Sequence, residues 1–326
     1  MSATRGRRAG PQVAYGRLRR WLSRTLLEPE YPLVAVEVRP RAVAAVRLAR
    51  EGGRVALGAA AAVDLPEGAL DLSMTRPNIV DGDAFRAALR AALERAGALS
   101  GGPVSLVLPD PALRLTLVPV KGLKGRGREM EETIRFRLHK ALPFDVRAAR
   151  LAWDGPRGEQ ALVAVALGEV VDGYEEALED LGFRPGLVEA STLALASLWA
   201  DEAGDAGEGD RLLVNWDEGY VSFLLLRGDQ PLMVRTLPGE VGAAAVARQA
   251  ASTLQFHRER LSGGLLDDVA LRSAAVPPDE AVAALGPAIG QEPRLLQPWA
   301  AIGAVETDLS AQAVAAAAAS ALRRVA

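Results

Sequence analysis

The chain has 326 residues and a formal net charge of −3, with no cysteine and two histidines, His139 and His257. These counts exclude a disulfide scaffold, thiolate chemistry and a histidine-built metal centre, so no metal site is expected. No apolar stretch reaches 18 residues and no signal-peptide core is present, which predicts a cytoplasmic protein without a transmembrane helix.

Positive charge is concentrated at the N-terminus. Residues 1–25 hold seven Arg and no acidic residue, so the rest of the chain has a formal net charge of −10. Within residues 1–30, leucines and a tryptophan at helical spacing predict a short basic amphipathic helix that includes Arg17, Arg20, Trp21 and Arg24. This helix either packs on the protein surface or contacts an anionic membrane, and the acidic remainder argues against nucleic acid as a partner.

The first half of the chain predicts a three-stranded meander followed by mixed elements. Alternating apolar residues between Gly and Pro turns predict strands at 33–38, 42–48 and 55–65. The elements predicted after them are a helix at 84–96, strands at 104–108 and 114–120, a basic loop at 121–128, a helix at 129–141, strands at 150–153 and 161–167, a helix at 170–181, a strand at 187–189 and a helix at 192–200.

The second half repeats the opening pattern. Residues 201–210 are acidic and glycine-rich and predict a linker. Beyond it the pattern predicts strands at 211–216, 220–227 and 231–237, a helix at 241–261, a strand at 269–271, a helix at 279–285, a strand at 294–296 and a final helix at 310–324. Two three-stranded meanders, each leading into helices, therefore stand on either side of the linker.

A duplicated unit of this kind is the layout of the actin-like (ribonuclease H-like) α/β fold, and within it the chain resembles the PilM-like type IV pilus assembly proteins of the FtsA/PilM superfamily. The resemblance rests on four stretches. They are VAVEVRPRAVAAVRL at 34–48, LPEGA at 65–69, the run 104–154 with VSLVLP, RLTLVPV and EMEETIRFRLHKALPFDVRAARLAWD, and the run 211–261 that opens with RLLVNWDEGYVSFLLLRG and ends in a helix with LQFHRERL. The third stretch is the most specific. The cytoplasmic domains of type II secretion L-like proteins share this fold.

The resemblance implies an organisation into two lobes. Lobe 1 is expected over residues 31–200, with an inserted subdomain of the type called 1C at about 82–168. The linker at 201–210 leads into lobe 2 at 211–309. Residues 310–326 are expected to form a C-terminal helix that packs back on lobe 1.

The resemblance also locates the nucleotide loops, and this chain departs from them. Glu37 and Arg39 stand where ATP-binding relatives carry Asp and Gly, and Pro40 has no N–H to offer a phosphate. Asp217 lies in the second phosphate loop, where two adjacent acids are expected to repel a phosphate. The degenerate positions are Glu37, Arg39, Ala44, Asn215, Asp217, Val221, Ser273 and Ala274.

These losses predict a pseudo-ATPase with no catalytic residue and no cofactor. Two alternatives stay open. The chain could be an active ATP- and Mg²⁺-binding protein of the same family or, with less support, a sugar-kinase-like enzyme on the same fold.

The resemblance implies a partner as well. In PilM-like proteins the N-terminal cytoplasmic peptide of PilN, a bitopic inner-membrane protein, lies in a groove beside subdomain 1C. The residues expected to line that groove here are Ile134, Arg135, Leu138, Leu142, Pro143 and Phe144. Their helical spacing fits the buried face of a helix equally well.

The expected function is a non-catalytic scaffold in a type IV pilus or type II secretion-like platform. It would be cytoplasmic and peripheral at the inner membrane. Pilus motor ATPases are further candidate partners, and self-association is left open.

Overall fold

The computed structural model of the chain describes residues 32–52, 54–120, 127–154, 159–203, 208–239, 242–302 and 310–323. The predicted N-terminal helix with Arg17, Arg20, Trp21 and Arg24 lies outside the described residues. Among the described helices, none combines the length and the apolar character needed to cross a bilayer.

The described residues form thirteen strands and seven α-helices. The strands are β1 (Val34–Val38), β2 (Ala42–Glu51), β3 (Arg54–Asp64), β4 (Gly102–Leu108), β5 (Arg114–Pro119), β6 (Ala149–Trp153), β7 (Gln160–Leu167), β8 (Phe183–Ala190), β9 (Asp210–Asp217), β10 (Tyr220–Arg227), β11 (Gln230–Pro238), β12 (Leu266–Ser273) and β13 (Arg294–Leu295). The helices are α1 (Gly82–Arg95), α2 (Arg128–Leu138), α3 (Gly168–Glu179), α4 (Ser191–Ala203), α5 (Ala243–Arg260), α6 (Pro278–Ile289) and α7 (Ala315–Leu322).

The first lobe is a five-stranded sheet in the order β3-β2-β1-β4-β8. The predicted meander forms its antiparallel part, and β4 and β8 continue it in parallel. Helices α1 and α3 cover one face through a shared core that includes Phe85, Leu89 and Tyr174. Asp81 caps α1 by accepting hydrogen bonds from the backbone N–H groups of Asp83 and Ala84, which satisfies donors that have no partner inside the helix.

A three-stranded sheet in the order β5-β7-β6 is inserted after β4. Helix α2 packs on one face of it and buries Met130, Ile134 and Leu138. The inserted subdomain therefore begins near residue 114. The predicted start at residue 82 is wrong, because α1 packs in the core of the first lobe and β4 lies within its sheet.

The second lobe repeats the architecture with a sheet in the order β11-β10-β9-β12-β13, and α5 and α6 pack on it. Strand β9 begins at Asp210, a buried residue. The predicted linker at 201–210 is therefore too long at both ends, since α4 also extends to Ala203.

Helix α7 lies between the two sheets. Its residues are all buried and pack against β1, β2, β4 and α4 of the first lobe and against apolar side chains of β9, β10 and β12. Five consecutive alanines, Ala315–Ala319, allow this close approach of helix to sheet on both sides. The predicted helix at 310–324 is shorter in the structure, because residues 311–314 form a 3₁₀ turn.

Candidate functional site: a closed cleft and a channel

Two equivalent turns, one from each lobe, meet in the cleft between the lobes. In the first lobe, residues 39–41 connect β1 to β2, and the backbone N–H of Arg39 donates to the carbonyl of Ala42 at 2.8 Å. In the second lobe, Glu218 and Gly219 connect β9 to β10, and Gly219 has a φ of +78°, a conformation that favours glycine. The last residue of β9 before this turn is Asp217.

Arg39 and Asp217 join the two turns across the cleft. The Arg39 guanidinium donates to Asp217 through Nη2 at 2.8 Å and through Nε at 3.1 Å, and both residues are buried. Its Nη2 also donates to the carbonyl of Ala274 at 3.0 Å. This two-point contact is the strong form of the Arg–carboxylate pair. The two loops are therefore held to each other by their own side chains.

Arg272 of β12 forms a second bridge behind the first. It is fully buried and donates to Asp217 Oδ2 at 2.6 Å through Nη1 and to Glu37 Oε1 at 2.9 Å through Nη2. Its remaining donors reach Asn215 Oδ1 at 3.1 Å and the carbonyl of Gln312 at 3.0 Å. One buried cation thus links carboxylates of both lobes. We call Glu37, Arg39, Asp217 and Arg272 the inter-lobe clasp.

The clasp continues into α7. The backbone N–H of Ala317, in the first turn of this helix, donates to Glu37 Oε2 at 3.4 Å. N–H groups in a first helical turn have no partner within the helix and carry partial positive charge. The Glu37 carboxylate therefore accepts hydrogen bonds both from the Arg272 guanidinium and from the N-terminal turn of α7.

A neighbouring hydrogen-bond cluster is centred on Asp110. This buried carboxylate accepts from the backbone N–H of Thr192 at 3.1 Å, from Ser222 Oγ at 2.7 Å and from Asn215 Nδ2 at 3.3 Å. Ser222 and Asn215 belong to the second lobe, whereas Asp110 and Thr192 belong to the first. The cluster therefore adds a second set of polar contacts between the lobes.

Burial and charge act in opposite directions on the clasp. Burial acts to raise the pKa of Asp217, but the charges of Arg272 and Arg39 outweigh it and hold that pKa below its usual range. For Glu37 burial dominates and raises the pKa, because Arg272 opposes it only in part and Asp217 adds repulsion. Asp217 is thus the anion that the two arginines stabilise most.

A pH-dependent prediction follows for Glu37. Because the pKa of Glu37 is raised in the folded state, the stability that this group contributes is fully present at low pH and is lost as pH rises through the folded-state pKa. We expect Glu37→Gln to lower the free energy of unfolding by about 1 kcal/mol or less at pH 7. Its loss relative to the wild type should be larger at pH 4.5 than at pH 7. Denaturant unfolding at both values measures this, with the exposed Glu132→Gln as control. A disadvantage of Glu37→Gln that grows with pH would contradict the assignment.

The structure brings together five of the eight positions predicted as degenerate nucleotide loops. Glu37, Arg39, Asn215, Asp217 and Ala274 are joined by the hydrogen bonds described above. The two acids of the second loop were expected to repel a phosphate, and the structure adds that one of them, Asp217, is neutralised by two arginines. The sequence reasoning missed Arg272 and Asp110.

The other three predicted positions lie outside these contacts. Ala44 is buried in β2, directly opposite Glu37 in the sheet, and Val221 is buried in the core of the second lobe. Ser273 is buried and donates through Oγ to the carbonyl of Val276 at 2.8 Å. Within the part of the chain that the structure describes, no cluster of three or more His, Asp or Glu could hold a metal ion.

A second candidate site is a channel between the inserted sheet and the rest of the protein. It has a volume of about 400 Å³ and runs along the face of β6 and β7 that α2 does not cover. Most of its apolar lining comes from β7, α4 and β10, with Leu162, Ala164, Leu193, Ala196, Leu224 and Leu226, and β6 adds Ala152. A smaller cavity of about 200 Å³ adjoins it and shares Ala152 and Ala164 with it.

Polar donors without partners are grouped along this channel. Arg211 lines it and is only 6% exposed, yet its Nε and Nη1 have no hydrogen-bond partner in the described part of the chain. Arg323, which is less buried, also lines the channel, and its Nε has no hydrogen-bond partner among the described residues either. Buried donors without acceptors are rare and costly. The channel is therefore suited to a ligand that brings acceptor oxygens and apolar groups together.

The predicted groove residues lie elsewhere. Ile134, Leu138 and Leu142 are buried in the core of the inserted subdomain. Arg135 is bound to Glu131 at 2.9 Å and to the carbonyl of Val146 at 2.6 Å. Side chains with almost no free surface cannot contact a peptide, so the structure contradicts the prediction for Ile134, Leu138 and Leu142, whereas Arg135 keeps 29% of its side chain exposed. Pro143 is exposed and Phe144 is half-buried at the end of this helix.

Comparisons with known proteins agree on the fold. No protein-family model and no curated protein sequence matches the chain. Among solved structures, it is similar to a chain of the PilM-PilN type IV pilus biogenesis complex, with a TM-score of 0.70, 21% identity, and coverage of 91% of this chain and 98% of that one. A Bacteroides thetaiotaomicron protein with an actin-like ATPase fold and unknown function matches with a TM-score of 0.50 and 9% identity, covering 79% of this chain and 88% of its own.

A further match, with a TM-score of 0.46 and 15% identity, is the cytoplasmic domain of EpsL, an inner-membrane component of the type II secretion system of Vibrio cholerae. It covers 75% of this chain and 83% of that one. The first two matches confirm the predicted fold, which is the actin-like ATPase fold.

Proposed function

We propose that the chain is a non-catalytic, actin-like scaffold of a type IV pilus assembly platform. In this proposal it binds no nucleotide, lies at the cytoplasmic face of the inner membrane, and holds the N-terminal peptide of a PilN-like bitopic membrane protein in the channel. The likeness to the PilM-PilN complex supports the choice of machine and partner.

The observation that carries the non-catalytic part is the inter-lobe clasp. Nucleotide phosphates bound between two lobes need free backbone N–H groups and unpaired cations. Here Arg39 and Arg272 are both paired with Asp217, and Pro40 removes one N–H from the first loop. Side chains thus make the inter-lobe contacts that a bound metal–phosphate group would otherwise make, so Mg–ATP does not fit this arrangement.

The channel supports the partner part of the proposal. Strand β6 is the outer strand of the inserted sheet and pairs only with β7 among the described strands. An extended peptide can add to such an edge through backbone hydrogen bonds while its apolar side chains fill the lining. Its carbonyl or amide oxygens would satisfy the unpartnered donors of Arg211 and Arg323.

A titration with Mg–ATP tests the non-catalytic part. We expect no saturable heat signal and no phosphate release, with ADP and the metal-free nucleotide as further arms. The control is Asp217→Asn, which frees Arg39 and Arg272 without adding a phosphate-binding glycine. Saturable binding by the wild type that Asp217→Asn abolishes would instead support the active ATP-binding alternative.

A further inference from the structure

The outer surface of α2 carries an exposed aromatic side chain, with cations toward the C-terminal end of the helix and two glutamates toward its N-terminal end. Phe136 is 76% exposed, the highest value of any aromatic residue in the described part of the chain. It lies opposite the buried face of the helix formed by Met130, Ile134 and Leu138. This surface is distinct from the channel, because α2 covers the other face of the inserted sheet.

The cations around Phe136 are largely free of acidic partners. Arg137 and Lys140 are exposed and make no ion pair within the described residues. Arg114 reaches the same end of the helix, where its Nη1 donates to the carbonyl of Ala141 at 3.1 Å. The His139 ring stacks against Phe136 with 6.0 Å between ring centroids. We call Arg114, Phe136, Arg137, His139 and Lys140 the basic aromatic patch.

The acidic groups nearby are mostly neutralised. Glu131 pairs with Arg135, Glu132 with Arg128 and Asp145 with Arg147. Glu129 remains, and it lines one surface depression together with Glu132, Phe136 and Arg137. The described residues 127–150 contain six Lys or Arg and four Asp or Glu, a net charge of +2 in a chain whose total is −3. Their positive charge is therefore a local feature of this part of the chain.

We propose that the basic aromatic patch is a lipid-contact surface that lies against an anionic phospholipid bilayer. An aromatic ring that projects from a convex helix among cations matches the interface of a bilayer, where the ring enters the headgroup region and the cations meet lipid phosphates. A protein partner would need a continuous apolar area around the ring. Here the neighbours of Phe136 are charged or polar.

The absence of cysteine allows a direct test. Phe136→Cys and Leu265→Cys each introduce a single thiol for an environment-sensitive fluorophore, and Leu265 is an exposed apolar residue of the second lobe. We expect the label at 136 to shift to shorter wavelength with vesicles of phosphatidylglycerol and phosphatidylcholine, but not with phosphatidylcholine alone. The label at 265 should not respond.

Charge reversal supplies the second arm. Arg137→Glu with Lys140→Glu should weaken vesicle binding roughly ten-fold or more, since each cation near an anionic surface contributes about 1 kcal/mol. Arg90→Glu with Arg95→Glu makes the same change on α1 and should have a much smaller effect. Vesicle binding without a response at position 136 would overturn the proposal, as would no binding at all. An equal response to poly-glutamate would assign the patch to an acidic protein instead.

Discussion

Replacement of Arg272 by Met is expected to remove about 3–5 kcal/mol from the free energy of unfolding, the range measured when one partner of a buried ion pair is deleted. Arg272 is fully buried and neutralises Glu37 and Asp217 together. Methionine fills a similar volume but leaves Glu37 without an ionic partner and Asp217 with Arg39 alone. Urea denaturation at pH 7 measures the loss.

The pH dependence separates lost charge pairing from lost packing. In the wild type the pKa of Asp217 is lower in the folded state than in the unfolded state. Its contribution to the free energy of unfolding is therefore present above the unfolded-state pKa and is lost as pH falls through the folded-state pKa. In Arg272→Met the carboxylates are less well neutralised, so their folded-state pKa values rise and the variant recovers stability as the solution is acidified. A packing defect would give a loss that does not change with pH.

Two further variants complete the test. Adding Glu37→Gln to Arg272→Met removes the one acid left without an ionic partner, keeps the Arg39–Asp217 pair, and should restore part of the stability, a non-additive result typical of one network. Arg150→Met removes a half-exposed arginine paired with Glu175 and should cost about 1 kcal/mol or less. A loss of that size for Arg272→Met would show that the clasp contributes little to stability.

Local patterns predicted the fold well because its elements have strong local signals. The alternation from residue 33 onwards and its recurrence from residue 211 correspond to β1–β3 and β9–β11. The boundary of the inserted subdomain was not predictable in this way. Strand β4 is an apolar run that suits either sheet, and only its parallel pairing with β1 and β8 places it in the first lobe.

The clasp shows why the site was predicted only in part. The two turns were located by resemblance, so Arg39 and Asp217 were identified as unusual residues. The partner of both acids, Arg272, lies 235 residues from Glu37 in the sequence, and no local pattern indicates such a pair. In the same way, the spacing of Ile134 and Leu138 marks an apolar face but cannot say whether it meets a peptide or the protein's own sheet.

The channel arises from elements far apart in the chain and had no signal in the sequence. Its walls come from β6, β7, α4 and β10, and its donors from Arg211 and Arg323. Arg211 has no acidic partner among the residues that the structure describes, and this became recognisable only once its burial was known. That residue gives the second large prediction.

Replacement of Arg211 by Met is expected to weaken peptide binding about 100-fold while leaving the free protein as stable as the wild type or more stable. Hydrogen bonds from a charged donor contribute roughly 1.5–3 kcal/mol each, and unsatisfied buried donors cost about 1–3 kcal/mol. The variant loses the Arg211 bond to the carbonyl of Gly228 and the contact with the Trp199 ring. It also removes two N–H groups that have no partner in the unbound channel.

The probe is a synthetic peptide of the cytoplasmic N-terminus of a PilN-like bitopic protein from the same organism, with binding followed by calorimetry and stability by urea denaturation. Arg227→Met is the matched control, because Arg227 lies on β10 with its guanidinium paired to Asp210 at 2.6 Å. We expect it to lose stability and to keep its affinity for the peptide. If Arg211→Met lost stability and kept its affinity, Arg211 would be a structural residue and the peptide would bind elsewhere. Loss of affinity without loss of stability in Arg211→Met, together with the reverse in Arg227→Met, would show that the peptide binds in the channel. A general loss of folding would lower the affinity of both variants alike.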